Sequence, residues 1–229
     1  MSDSPDYASA YRGLRTRVTE LVRSADASAL NRTAPATPDW RVRDIVAHMA
    51  GVCDDVSNGN MDGVASDPWT DAQVAKRADW DIDQILDEWE EHSAKVEAVM
   101  NDLGPAVGQM LADAATHEAD IRGALGVPGG RESDATIIGV DWGLTVLRAR
   151  LAGKGLGTLR IQHEGGVTEI GEGEPVTRLN ATRFEIGRAM TGRRSHAQVR
   201  ALDWDGPLDP DALNLEPKLF MPPAADLIE

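Results

Sequence analysis

The chain has a single cysteine, Cys53, in 229 residues, which excludes an intrachain disulfide. One thiol with no partner fits a reducing compartment, so a cytoplasmic location is expected. Basic residues are scarce beside acidic ones: 23 Lys and Arg against 38 Asp and Glu, a formal net charge of −15. So acidic a chain lacks the clustered cations that a nucleic-acid backbone requires, and an anionic lipid surface would repel it. No stretch approaches the roughly 20 apolar residues of a membrane span. The opening residues, Met-Ser-Asp-Ser-Pro-Asp, show no basic segment followed by an apolar one, and no secretory signal is expected. With 41% hydrophobic residues, the chain reads as a soluble globular protein of one large domain or two modest ones.

Apolar residues recur at helical spacing through the first part of the chain. Tyr11, Leu14, Val18, Leu21 and Val22 mark a helix from Tyr7 to about Ala25, and the proline-bearing stretch from Thr33 to Asp39 ends that segment. Asp39 is a candidate N-cap for a second helix from about Val42 to Val56. After a Gly-, Asn- and Asp-rich loop from Asn58 to Pro68, a third segment from near Thr70 to about Leu103 reads as one long or broken helix. A fourth helix spans roughly Ala106 to Leu125 and stops at Gly126 and Pro128. Four such helices point to a bundle.

Beyond Gly129-Gly130 the pattern changes. Ile137 to Leu151 reads as a helix, Leu156 to His163 alternates as a half-buried strand, and Gly165-Gly166 reads as a hairpin turn before a strand from Val167 to Ile170. A strand from Pro175 to Leu179 leads to a helix from about Ala181 to Thr191 that Asn180 is placed to cap. A short helix follows from Ser195, then a proline-rich tail of extended chain. The expected fold class is α+β: residues 1–130 as a four-helix bundle, residues 131–229 as a small α/β domain.

One constellation suggests chemistry. Asp113 precedes His117 by four residues, which puts both side chains on one helical face. With His48 from the second helix they make three ligands of the kind a divalent metal takes. Taken alone, the Asp113–His117 spacing is equally that of an ordinary helix pair worth roughly 0.2–0.5 kcal/mol. Asp120, three residues after His117, is a candidate to orient a ring nitrogen or an adjacent Arg by hydrogen bond, or else a solvent-exposed or capping aspartate. Cys53 reads as a small buried hydrophobe, and Trp69, Trp80 and Trp89 as packing residues. His92, His163 and His196 read as structural, with no ligand at metal spacing. Asp44, Asp54, Asp55 and Glu118 read as surface charges.

The segment Trp40-x-Val42-x-Asp44-Ile45-Val46-Ala47-His48-Met49-Ala50-Gly51 resembles the second-helix signature of the DinB-like superfamily. It is most similar to the branch of mycothiol-dependent maleylpyruvate isomerases. His117-x-x-Asp120-Ile121-Arg122-x-Ala124-Leu125-Gly126 resembles that branch's fourth-helix signature. Gly192-Arg193-Arg194-Ser195 with Leu202-Asp203-Trp204-Asp205-Gly206 resembles its C-terminal module. The resemblance implies a DinB-like bundle followed by a sterol-carrier-like α/β domain. It implies a divalent metal, usually zinc though nickel or another ion is open, held by His48, Asp113 and His117. Asp113 stands where the branch has glutamate, one methylene longer, so metal identity and occupancy turn on it.

Mycothiol is the implied thiol cofactor or co-substrate, and a small electrophile the implied substrate of isomerisation or thiol transfer. Arg193 and Arg194 are candidates to meet a carboxylate of thiol or substrate by bidentate hydrogen bonds, or else to act as helix C-terminal cations. The alternatives are a non-catalytic or regulatory binding protein of the same fold and a hydrolase using metal-activated water. Neither nucleic acid nor membrane is an expected partner, and the chain is expected to be a monomer or homodimer.

Overall fold

The structure, a computed structural model, describes residues 4–152 and 157–229. It opens with α1 (Tyr7–Ser24), capped by the Asp6 side chain, and a single turn α2 (Ala27–Leu30). A small antiparallel pair, β1 (Thr33–Ala34) and β2 (Thr37–Arg41), leads into α3 (Val42–Asn58). Then follow α4 (Asp67–Lys76), α5 (Ile82–Leu103) and, after a 3₁₀ turn at Gly104–Val107, α6 (Gly108–Leu125). The remainder comprises α7 (Asp134–Leu151), β3 (Thr158–His163), β4 (Gly166–Ile170), β5 (Pro175–Asn180), α8 (Arg183–Met190), α9 (His196–Arg200) and β6 (Asp203–Asp205). The α+β class is therefore as expected. No described helix is long and apolar enough to cross a membrane.

The chain forms two compact units whose boundary falls inside α6. Among the described residues, the first contains 4–107, 117–129 and 229; the second contains 108–116, 130–152 and 157–228. In the first, α1, α3, α5 and the second half of α6 supply the bundle. Its buried residues include Tyr11, Leu14 and Val18 of α1, Ile45, Met49 and Cys53 of α3, Ile85, Trp89 and Met100 of α5, and Ile121 of α6. Polar pairs tie the helices together. Arg15 of α1 bonds Glu97 and Glu90 of α5, and Arg17 grips the buried Glu118 of α6 at 2.6 and 2.9 Å.

Several boundaries differ from expectation. Asp39 does not cap α3, because Thr37–Arg41 is drawn into pairing with β1. The cap is instead Arg41, whose backbone N–H donates to Asp44 Oδ2 at 2.9 Å while its guanidinium grips the same carboxylate. For the third segment the broken alternative holds: it is two helices, separated at Arg77–Asp81, where Asp81 caps α5 by accepting from Gln84 N.

In the second unit a four-stranded sheet runs β4-β3-β5-β6, with β3 and β5 parallel and the outer pairs antiparallel. Leu156, expected in the first strand, lies outside the described residues. The hairpin turn is Glu164-Gly165, since His163 pairs with Gly166. From β4 the chain crosses the start of β3 to reach β5. A Cβ at Gly171 would lie 2.6 Å from Gly157 O, and its φ of 114° is one that glycine adopts freely. Asn180 belongs to β5, and Thr182 caps α8 by accepting from Glu185 N. The tail begins as an extended strand, β6, which adds an edge to β5, but turns at Asp209–Asn214 and Glu216–Phe220 keep it from being wholly extended. Val140, Leu144 and Leu147 of α7 pack with Ile161, Leu179, Ile186 and Met190 to fill the core between sheet and helices.

Candidate metal centre

His48 sits in the second turn of α3 and His117 in the third turn of α6. Both are nearly inaccessible, 4% and 6% exposed, and their rings meet edge to face with centroids 4.9 Å apart. Trp40, at the end of β2, covers both: its ring lies 5.1 Å from His48 and 5.8 Å from His117. Asp113, one helical turn before His117, is half-buried. One donor atom from each of His48, Asp113 and His117 lies within 4.8 Å of the other two.

Each imidazole has its Nδ1 engaged by a side chain of its own chain. His117 Nδ1 lies 3.0 Å from Oδ2 of Asp120, a carboxylate only 1% exposed. His48 Nδ1 lies 2.8 Å from Oε1 of Gln73 on α4, and Gln73 Nε2 donates to Asp55 Oδ2 at 2.6 Å. A ring that donates from Nδ1 keeps the lone pair on Nε2, the arrangement in which histidine binds a metal. Two imidazole nitrogens and a carboxylate oxygen are a donor set of the kind a divalent metal takes.

Local sequence explains how Gln73 reaches His48. His48, Gly51 and Asp55 follow one another along one side of α3. A Cβ at Gly51 would lie 2.5 Å from Gln73 Cβ, so glycine is what lets α4 approach this closely. Gln73 is 3% exposed, and sequence patterning did not single it out.

A second histidine–carboxylate group lies in the same unit. Asp54, Glu88 and His92 also bring donor atoms within 4.8 Å of one another. This corrects the reading of His92 as lacking a ligand at metal spacing, because Glu88 precedes it by four residues. The two carboxylates here are neutralised by cations of the chain. Lys76 Nζ meets Asp54 at 2.5 Å and Glu88 at 3.2 Å, and the wholly buried Arg77 bonds both. Burial raises the Asp54 pKa, but Lys76 and Arg77 outweigh it and hold the carboxyl below the usual range. Asp54 and Asp55 are therefore structural partners rather than loose surface charges, and Asp44 and Glu118 are buried, 8% and 2% exposed.

Of the remaining candidates, Cys53 is buried with Tyr11 Oη 3.0 Å from its sulfur, and burial pushes its thiol up to about 12. His196 pairs with Asp211 at 2.9 Å. Arg194 is 5% exposed and forks onto Glu185 at 2.6 and 3.0 Å, with its guanidinium 5.6 Å from the Phe184 ring. Arg193 donates from Nη1 to Thr191 O at 2.6 Å.

Fold and cluster together define a two-unit α+β protein whose helical unit carries a buried pair of metal-competent histidines. The chain belongs to the mycothiol maleylpyruvate isomerase N-terminal domain family, whose model matches residues 11–126, just over half of it. Among solved structures it is similar to a mycothiol-dependent maleylpyruvate isomerase with a histidine-to-alanine substitution. The TM-score is 0.58 at 13% identity, over 89% of this chain and 93% of that one. A second structure of a mycothiol-dependent maleylpyruvate isomerase matches with a TM-score of 0.56, also at 13% identity, over 81% of this chain and 88% of that one. At such identity the likeness establishes the fold. No curated relative matches the chain by sequence.

Proposed function

We propose that the chain is a divalent-metal-dependent enzyme that uses a low-molecular-weight thiol, mycothiol, to isomerise or conjugate a small electrophile. His48, Asp113 and His117 are the proposed ligands and zinc the proposed ion. The observation that carries this reading is the buried pair of imidazoles, each held at Nδ1 by a side chain of its own chain, with a carboxylate oxygen of Asp113 within 4.8 Å of a donor atom of each. A divalent ion bound by them would lower the pKa of an incoming thiol and supply a thiolate nucleophile at neutral pH.

The chain's own residues prepare that chemistry. Asp120 and Gln73 fix the ring planes. Trp40 covers both rings with an apolar wall, which strengthens any electrostatic contact made beneath it. Asp113, shorter than glutamate, brings its carboxylate near the rings from one turn away on α6.

In this reading residues 1–130 carry the metal and residues 131–229 complete the enzyme. Arg193 and Arg194 are the candidates to meet an anionic group of thiol or substrate. The Glu185 fork counts against Arg194.

The test is zinc content together with the thermal shift on adding mycothiol, since a ligand of the native state raises its melting temperature. Stoichiometric zinc, a mycothiol-dependent rise and thiol-dependent turnover of a maleylpyruvate-type substrate support the proposal. Zinc without any thiol effect would favour hydrolysis by metal-activated water. Protein holding no metal would favour a binding or regulatory role.

A further inference from the structure

We propose that Asp55 and Gln73 form a directional relay that sets the tautomer of His48, and that both are positioning residues for the metal centre. The inference rests on the reading of His48 as a ligand and extends it to two side chains outside the donor set. The relay has three links. Asn60 Nδ2 donates to Asp55 Oδ1 at 2.7 Å, Gln73 Nε2 donates to Asp55 Oδ2 at 2.6 Å, and Gln73 Oε1 lies 2.8 Å from His48 Nδ1.

The direction follows from donor inventory. A primary amide looks nearly the same with its oxygen and nitrogen exchanged, so Gln73 by itself does not fix the proton on His48. An ionised carboxylate only accepts. Asp55 therefore requires the NH₂ end of Gln73, which leaves the amide oxygen for His48. The amide oxygen also only accepts, so His48 must hold its proton on Nδ1 and keep the Nε2 lone pair. Were the amide reversed, Nδ1 would become the acceptor and Nε2 would carry the proton, which blocks it as a ligand. Gln73 is 3% exposed, so water is poorly placed to relieve a wrong orientation.

The packing around α4 supports the same role. Gly51 permits the close approach of Gln73. One turn on, Lys76 and Arg77 pin α4 to Asp54 of α3 and Glu88 of α5. The second histidine–carboxylate group is thus a clamp on the helix that carries the relay.

The experiment uses the full chain and three variants: Asp55→Asn, Gln73→Leu and the double variant Asp55→Asn/Gln73→Glu. Asp55→Asn is isosteric. Asn60 holds its oxygen, so its NH₂ faces Gln73 and forces the amide to turn. In the double variant the new carboxylate accepts from both sides and restores the original direction. Zinc affinity is read by competition with a chromophoric chelator. The His48 tautomer is read by imidazole ¹⁵N NMR of the metal-free protein.

Each single variant is expected to weaken zinc on the order of 10–100-fold, as loss of outer partners does elsewhere. Asp55→Asn is expected to move the His48 proton from Nδ1 to Nε2, and the double variant to recover both readouts. Unchanged zinc affinity in Asp55→Asn, or an unchanged tautomer, overturns the relay. If the wild-type protein takes no zinc, the metal reading fails, while the tautomer measurement still decides the relay.

Discussion

Asp120 Oδ2 stands 3.0 Å from Nδ1 of His117, three residues back along α6, and the carboxylate is 1% exposed. A buried carboxylate at this position does two things: it fixes the ring plane and it makes the imidazole a more basic donor at Nε2. Asp120→Asn keeps the shape and removes the charge. Divalent-metal affinity is expected to fall by roughly 10–100-fold with helical content unchanged. Chelator competition and circular dichroism check the two halves of this statement.

Gly51→Ala tests the approach of α4 to α3. Its new Cβ would lie 2.5 Å from Gln73 Cβ and 2.7 Å from Gln73 Cγ, so α4 must shift. Overpacking of this kind costs about 1–3 kcal/mol, measurable as a lower urea midpoint. Because the displaced residue is Gln73, zinc affinity is expected to fall as well.

Arg77→Met removes a wholly buried cation shared by Asp54 and Glu88. Lys76 remains on both carboxylates, so losing the Arg77 hydrogen bonds costs about 1.5–3 kcal/mol. Urea unfolding is expected to show a loss of that order. A change below about 0.5 kcal/mol, the usual size of a surface substitution, would mean the clamp contributes little.

Cys53 supplies a pH prediction. Burial first, opposed by hydrogen bonds from Tyr11 and Trp89, leaves its thiol pushed up to about 12 from 9.0. The unfolded chain releases this proton near 9 and the folded chain retains it. Its contribution to stability is therefore fully present below pH 9 and declines as pH rises from 9 toward 12. At pH 8 the native thiol is expected to resist a disulfide reagent and to react fully once the chain is unfolded in guanidinium. Rapid reaction of the native protein would show that the site opens easily.

Much of this was legible in the sequence, for identifiable reasons. Four-residue spacing put Asp113 and His117 on one face, and three-residue spacing put Asp120 within reach of the same ring. Helix periodicity alone located α1, α3 and α6. The same rule passed over Glu88 and His92, which have the spacing of Asp113 and His117. What separates the two groups is Lys76 and Arg77, which arrive from α4 across a break that periodicity allowed but did not position. Gln73 was hidden for the same reason, since a contact between residues 25 apart in sequence depends on how α4 docks. Asp39 was misread as a cap because β1 is two residues long and leaves almost no sequence pattern.

The most direct test of the account is zinc titration of the purified full chain beside His48→Ala and His117→Ala. A single tight site in the wild-type protein, lost in both variants while their circular dichroism is unchanged, is the expected result. Wild-type protein that binds no zinc, or variants that bind it as tightly as wild type, would contradict the assignment of His48 and His117 as the core of a metal centre.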